Sequence, residues 1–467
     1  MGRVILTGGR VIDPSSNLDA VADLVIEDGS IAAVGPGLAP AESDAQVWDV
    51  SNCIIGPGLV DIHVHLRTPG QEHKEDIVSG TAAAAAGGYT TVCFMPNTQP
   101  PLDDPRLLES VLDRAAKEGI VRVYGAAAVT RGLQGRELAP LTELRAAGAV
   151  VFTDDGLPVA DSGLMRAALL QARDLGVPVA QHTEDPALTA GGVAHPCPAS
   201  ERLGLPPYPP ESEAALAARD CVLASVTGSR LHVQHVSAAA TVKVLAAAKE
   251  RGVPVTAEVT PHHLLLTADA QLDKWGRDPV TKVNPPLRGE EDRQSLIQAL
   301  LDGVIDCIAT DHAPHHREDK SLPYEEAAFG ISGLETGLSA SVAALITPGL
   351  MDWPRLLRLM STVPARILGL PGGTLAPGSP ADVVVIDPHA WWLVDPVAFF
   401  SRGRNTPMTG RRLPARVVLT LVGGRIAYNG LMADNRYVEN AAGGRLWGEP
   451  LHLVGPPPGD GERGEPA

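Results

Sequence analysis

Between residues 59 and 310 the chain repeats one rhythm, a short apolar run followed by a longer stretch rich in Ala, Leu, Arg and Glu. The apolar runs begin with 59–65 (L-V-D-I-H-V-H), 89–94 (Y-T-T-V-C-F), 121–128 (V-R-V-Y-G-A-A-A) and 149–153 (A-V-V-F-T). They continue with 177–182 (V-P-V-A-Q-H), 230–235 (R-L-H-V-Q-H), 253–258 (V-P-V-T-A-E) and 305–310 (I-D-C-I-A-T). Their length and pattern predict strands. The stretches 104–118, 162–175, 212–226, 238–251 and 291–302 predict helices between them. Residues 80–88 (G-T-A-A-A-A-A-G-G) predict a small-residue helix with a glycine stop, not a phosphate loop. Eight strands alternating with helices point to α/β architecture, a (β/α)8 barrel. A doubly wound open sheet is the rival, but no G-x-G-x-x-G follows an early strand.

The two ends have another texture. Near the start stand V-I-L-T-G-G-R-V-I-D (4–13) and A-D-L-V-I-E-D-G-S-I-A-A-V-G (22–35); near the other end stand A-D-V-V-V-I-D (381–387) and A-R-V-V-L-T-L-V-G-G-R-I-A-Y-N-G (415–430). Each end offers a strand, a glycine-containing turn and a second strand. The simplest arrangement joins 1–56 and 371–432 into one small β-sandwich-like domain beside a barrel over 57–370. Residues 433–467 are expected to form a polar, Gly/Pro-rich tail.

Composition narrows the function. With 55 acidic against 38 basic residues the formal net charge is −17, which argues against a nucleic-acid or anionic-membrane partner. An anionic small-molecule substrate then needs local cationic help. The five scattered cysteines, with no C-x-x-C, suit reduced thiols of a cytoplasmic protein. No apolar run is long enough to span a bilayer.

A barrel places its chemistry at the C-terminal ends of its strands. In a strand, residues i and i+2 share a face, so His63 and His65 are expected to project together, with Asp61 on the same side. An HxH pair alone is also compatible with two histidines satisfied by backbone carbonyls. The other strand ends decide. Strand four runs into Asp154-Asp155, strands five and six end at His182 and His235, and strand eight runs into Asp311, His312 and His315. Nitrogen and oxygen donors without cysteine fit zinc, manganese or a similar divalent ion. Six candidate ligands exceed the need of one ion, so two metals with a bridging carboxylate are expected.

Recognition groups stand at the same ends. Arg67 follows His65 by two residues, Asn97 follows strand two and Asn284 follows strand seven. A guanidinium grips a carboxylate, and amides hold a ring amide. Turn residues beside proline describe the two asparagines equally well, and Arg67 has Glu72 or Glu75 as alternative partners. His262-His263 read as packing or supporting groups, and His232 as pointing away from His235.

The chain resembles the class I dihydroorotases of the amidohydrolase superfamily from about residue 3 to 430. The resemblance is carried by P-G-L-V-D-I-H-V-H-L-R-T-P-G (57–70), A-A-G-G-Y-T-T-V-C-F-M-P-N-T (85–98), F-T-D-D-G (152–156), A-E-V-T-P-H-H-L (257–264), A-T-D-H-A-P-H (309–315) and F-G-I-S-G-L-E-T (329–336). It implies reversible closure of N-carbamoyl-L-aspartate to L-dihydroorotate, a step of pyrimidine biosynthesis, on two divalent ions, expected to be Zn²⁺. It implies that His63, His65 and Asp311 hold one metal and His182 and His235 the other, with Asp155 between them. It also implies that Asp311 shuttles the proton, and that His65, Arg67, Asn97, Asn284, His315, Phe329 and Gly330 contact substrate. Superfamily relatives often bridge their metals with a carboxylated lysine, but no lysine lies between Lys117 and Lys243 here. Thr68 stands where the family usually has an acidic residue. Other cyclic-amide hydrolases (hydantoinase, allantoinase) and a non-catalytic scaffold for aspartate carbamoyltransferase are the competing readings. The scaffold predicts missing ligands, and none is missing. A homo-oligomer and a carbamoyltransferase complex both stay open.

Overall fold

A computed structural model describes residues 2–38 and 45–457. Eight parallel strands follow one another in chain order around a barrel: β1 (Leu59–Val64), β2 (Tyr89–Phe94), β3 (Arg122–Ala127), β4 (Ala149–Phe152), β5 (Val179–Gln181), β6 (Leu231–Val233), β7 (Val255–Val259) and β8 (Cys307–Ile308). Consecutive parallel strands need crossovers, and helices supply most of them. The helices Pro105–Glu118, Ser162–Asp174, Glu211–Thr227, Ala239–Glu250 and Glu290–Asp302 lie where the apolar period predicts them. The small-residue helix runs over Ile77–Ala86, capped by Asp76, whose side chain accepts the Ser79 N–H.

The seam between β1 and the short β8 is closed just beyond the strands themselves. Val64 pairs in parallel with His312, and the His65 N–H donates to the His312 carbonyl at 2.8 Å. The buried Asp61 carboxylate accepts the Thr310 N–H at 3.1–3.2 Å. Asp61 therefore does not join the histidines as strict alternation suggests. The register of β1 against β2 shifts between Asp61 and Val64, and the carboxylate serves the seam instead. The barrel interior is filled on its N-terminal side by Val60, Cys93, Ala126, Val151, Ala180 and Cys307, packed against Ile367 and Leu368. These branched and small side chains pack the barrel interior there, while chemistry in such barrels is placed at the other end.

The N- and C-terminal segments build a second, separate sheet of eleven strands. Its junction is Ile54–Pro57, which pairs parallel with Val4–Asp13 and antiparallel with Val383–Leu393. Within the stretch expected as a polar tail, Tyr437–Glu439, Arg445–Trp447 and His452–Val454 are strands of this sheet. Local alternation and the Tyr437–Trp447 ring contact, centroids 5.1 Å apart, outweigh the Gly/Pro-rich average. Residues 458–467 lie outside the described ones. Among the described residues no helix is long and apolar enough to cross a membrane.

One buried carboxylate ties barrel to sheet. Asp382, at the start of Val383–Leu393, accepts from Arg122 Nε at 2.6 Å and Nη2 at 3.1 Å, and from the Gly423 N–H at 2.8 Å. Asp382→Ala leaves Arg122 and Gly423 without that acceptor and should cost about 2 kcal/mol or more. Urea unfolding checks it; a loss below about 0.5 kcal/mol, the scale of an idle surface pair, would show the tie to be unimportant.

Candidate metal centre

Five strand ends and the longer segments after β7 and β8 deliver their side chains to one cavity of about 170 Å³. It is lined by His65, Arg67, Asn97, Asp155, His182, His235, Asn284, Asp311, His315, Phe329 and Gly330. His63 lies fully buried behind this wall, its Nε2 3.1 Å from Asp155 Oδ1 and 3.6 Å from Asp311 Oδ1. A larger cavity of about 630 Å³ opens on the N-terminal side of β8, between residues 13–19 and 352–366, and contains none of these side chains.

Three of the four rings, those of His63, His65 and His182, are oriented from their outer nitrogen. His63 Nδ1 lies 2.5 Å from Glu258 Oε1, His65 Nδ1 lies 2.9 Å from Asn97 Oδ1, and His182 Nε2 lies 3.1 Å from Glu184 Oε2. A neutral imidazole that donates one N–H turns the lone pair of its other nitrogen the opposite way. Those lone pairs meet carboxylates and one another. His65 Nε2 faces Asp311 Oδ1 at 3.2 Å and Asp155 Oδ2 at 3.4 Å. His182 Nδ1 faces His235 Nε2 at 2.8 Å, and Asp155 Oδ1 lies 3.8–3.9 Å from both rings.

Electron pairs crowded this way in a buried volume need positive charge among them. His63 Nε2 and Asp155 Oδ1 are both buried without a hydrogen-bond partner. Burial alone would push the His63 imidazolium down, yet Asp155 and Glu258 outweigh it and hold its pKa well above the ordinary value. Burial would likewise raise Asp155, but His63 and His235 hold it well below the usual carboxylate range. The volume attracts a cation. Two ligand groups emerge, His63–His65–Asp311 and His63–Asp155–His235, with donor atoms in each within 4.8 Å. All the donors are nitrogen or oxygen, a set that fits divalent cations.

Several sequence candidates turn elsewhere. Asp154 accepts the N–H groups of Val129 and Thr130 at 2.8 and 3.0 Å and the Thr130 hydroxyl, so it anchors the loop after β3. His312 Nδ1 accepts the Gly333 N–H at 3.1 Å while its Nε2 meets Glu75, away from the cavity. Arg67 does not pair with Glu72 or Glu75; its Nε donates to the Pro314 carbonyl, and Nη2 lies 3.2 Å from His315 Nε2. Burial, and then Arg67, keep the His315 imidazole neutral. The asparagines do more than flank a turn. Asn97 Nδ2 donates to the Asp155 carbonyl, and Asn284 Nδ2 to Glu184 Oε2.

Glu258 and Glu184 were not singled out from the sequence. Glu258 is the charged member of the apolar β7 run and lies two residues before T-P-H-H, a signal that an inward-facing carboxylate was present. Its other oxygen meets His232 Nε2 at 3.1 Å, and His232 Nδ1 meets Thr256 Oγ1 at 2.8 Å. His232 is thus a support for Glu258, with Cys307 nearby as a neutral thiol because burial pushes its pKa well up. Glu184 lies only two residues past His182, in a loop whose direction the sequence leaves undetermined.

The chain matches the dihydro-orotase-like family model over residues 52–241. It is 48% identical to a dihydroorotase of Anaeromyxobacter dehalogenans (strain 2CP-1 / ATCC BAA-258) over 92% of this chain and 99% of that protein. It is 47% identical to a dihydroorotase of Syntrophus aciditrophicus (strain SB) over 91% of this chain and 99% of that one. Among solved structures, an L-hydantoinase (dihydropyrimidinase) from Arthrobacter aurescens superposes with a TM-score of 0.82 at 27% identity, covering 91% of this chain and 96% of that chain.

The Glu258–His63 contact makes a prediction about metal alone. Glu258→Gln keeps the shape but removes the charge that makes His63 a better donor. Metal affinity should fall about 10- to 100-fold, the usual effect of losing a carboxylate behind a ligating histidine. Competition with a chromophoric chelator measures it, and an unchanged affinity would refute the role of Glu258.

Proposed function

The chain belongs to the dihydroorotase family, and from that premise we propose that its strand-end cluster holds two divalent cations, zinc in our reading, to carry out the family's reaction. The enzyme catalyses the reversible closure of N-carbamoyl-L-aspartate to L-dihydroorotate with loss of water, a step of de novo pyrimidine synthesis. The family is metal-dependent. We assign His63, His65 and Asp311 to one cation and His182 and His235 to the second, with Asp155 spanning both. Asp155 is preferred to Asp154 because the oxygens of Asp154 are taken up by Val129 and Thr130.

The observation that carries the reading is the pairing of a cation-attracting cluster with a buried arginine on the same small cavity. Divalent cations bound there supply Lewis-acid polarisation of an amide carbonyl and a nucleophile near neutral pH. The remaining work falls to the chain. In the hydrolytic direction Asp311 takes a proton from the attacking water as its oxygen bonds to the ring carbonyl carbon. As the ring C–N bond breaks, Asp311 returns that proton to the leaving nitrogen; the new carboxyl group gives its own proton to solvent. Arg67, with its guanidinium fixed by Pro314 and adjoining His315, grips the substrate carboxylate together with Asn97. His65, Asn284, His315 and the main chain at Phe329–Gly330 complete the substrate contacts and hold the reacting atoms in line.

In the same reading the barrel over 57–370 is the catalytic unit, and 1–56 with 371–432 form its companion β domain. Five free thiols, four of them buried, support a cytoplasmic location.

Parallel assays with dihydroorotate and hydantoin test the substrate, since a neutral ring without a carboxylate leaves Arg67 unpaired. Turnover of hydantoin in preference to dihydroorotate would sink the reading. Arg67→Met should keep metal and fold while kcat/KM for dihydroorotate falls about 100-fold or more, the scale of losing a charged, bidentate partner. Near-normal kcat/KM would move the carboxylate site elsewhere. Asp155→Ala should lose metal and activity together, whereas Asp154→Ala should be milder. Apo-enzyme reconstituted with zinc in CO₂-free buffer should regain activity, because no lysine needs carboxylation; a strict bicarbonate requirement would rule out the aspartate bridge.

A further inference from the structure

The cavity wall at Phe329–Gly330 belongs to a strap, residues 325–330, four of whose carbonyl groups accept from two lysines, with Asn405 Nδ2 also donating to the Gly330 carbonyl at 2.8 Å. Lys282, only 1% exposed, donates from Nζ to the Glu325 carbonyl at 3.0 Å and the Ala327 carbonyl at 2.7 Å. Its ammonium also lies 4.2 Å from the Phe329 ring centroid. Lys320 donates to the Ala328 carbonyl at 2.8 Å, the Gly330 carbonyl at 2.9 Å and the Lys282 carbonyl at 3.2 Å. Among the described residues neither lysine has a carboxylate at ion-pair distance. Two ammonium groups satisfied by five backbone oxygens make an unusual clamp, since such charges ordinarily stay solvated or paired.

The strap has little freedom on its other side. The Phe329 carbonyl lies 2.7 Å from His315 Nε2, and the Gly330 N–H donates to the Lys282 carbonyl at 2.9 Å. Gly330 has φ +128°, and a Cβ there would stand 2.6 Å from the Ala313 carbonyl oxygen on the loop after β8. The strap is therefore pressed against the loop that carries Asp311 and His315, with the lysines holding its carbonyl side.

We propose that Lys282 and Lys320 are positioning residues for substrate: they fix the strap so that the main chain at Phe329–Gly330 meets the substrate ring. The proposal rests on the assignment of Phe329 and Gly330 as substrate contacts. Neither lysine reaches the reacting atoms or a metal-ligating side chain. Loosening the clamp weakens substrate and transition state alike, which appears in KM with kcat largely spared.

The test uses full-length protein loaded with zinc and compares wild type with Lys320→Met, Lys320→Arg and Lys282→Met. Lys320→Met should raise KM for dihydroorotate about tenfold while kcat stays within about threefold, the pattern of lost uniform binding. Its metal content should match wild type, and it should stay folded at the assay temperature, although three stranded carbonyls lower its melting temperature. Lys320→Arg, which keeps a charged donor, should return KM to within about threefold of wild type. Should Lys282→Met fail to fold, the partly exposed Lys320 decides the matter. An unchanged KM in Lys320→Met, a fall in kcat alone, or no rescue by arginine would overturn the clamp. Wild type inactive on dihydroorotate would instead overturn the substrate reading, so the two failures are distinguishable.

Discussion

Electron pairs from four imidazoles and two carboxylates are aimed at one buried volume, and the proton positions on the imidazoles decide that aim. Glu258, Asn97 and Glu184 take up the outer nitrogens of His63, His65 and His182, so the inner nitrogens are left as donors. Without positive charge the convergence is repulsive and poorly solvated. The directions in which burial is overruled at His63 and Asp155 express the same demand. The backbone bears part of the cost: Arg67, His235 and Asp311 have φ of +54°, +33° and +47°, a region disfavoured for residues with side chains. Each such residue costs on the order of 1–3 kcal/mol, sustained only where the surroundings over-determine it.

The barrel supplies those surroundings. Its first and last strands meet where the HxH motif leaves β1, and the seam is made by His65, His312 and the Asp61 carboxylate rather than by a long ladder. Residues of the metal cluster are thus set by closure of the barrel itself. On the opposite end the interior is plugged, and the second sheet is tied to the barrel through Asp382 and Arg122. A rigid base allows the loops at the other end to carry strained residues.

Local charge then works against the global one. The chain carries −17, yet the strand-end cavity presents a buried guanidinium beside a histidine kept neutral by burial and by that guanidinium. A neutral His315 adds no competing charge and leaves Arg67 as the cationic side chain on this wall of the cavity. Thr68, the residue after Arg67, is buried with its hydroxyl unpartnered and does not line the cavity. No ligand direction depends on it.

The order of strands and helices was legible because each barrel strand is a short apolar run, and each crossover helix carries the 3.6-residue period locally. The strand-end histidines and aspartates were legible for the same reason: once strands are placed, the barrel puts their C-terminal ends together. What the sequence could not reveal lies across the barrel from its own position. Glu258 stands 195 residues from His63, and Lys320 acts on carbonyls beyond its own turn. The face of Asp61 depended on a register shift, and which of Asp154 and Asp155 faces the cavity depended on which of them meets the N–H groups of Val129 and Thr130. Periodicity and residue type are written into neighbouring positions, so the sequence by itself determined the architecture and the kind of chemistry. Side-chain direction in irregular loops is set by partners brought close only on folding, so the tertiary structure alone decided which donors converge on the cavity, which groups orient them, and which carbonyls the two lysines reach.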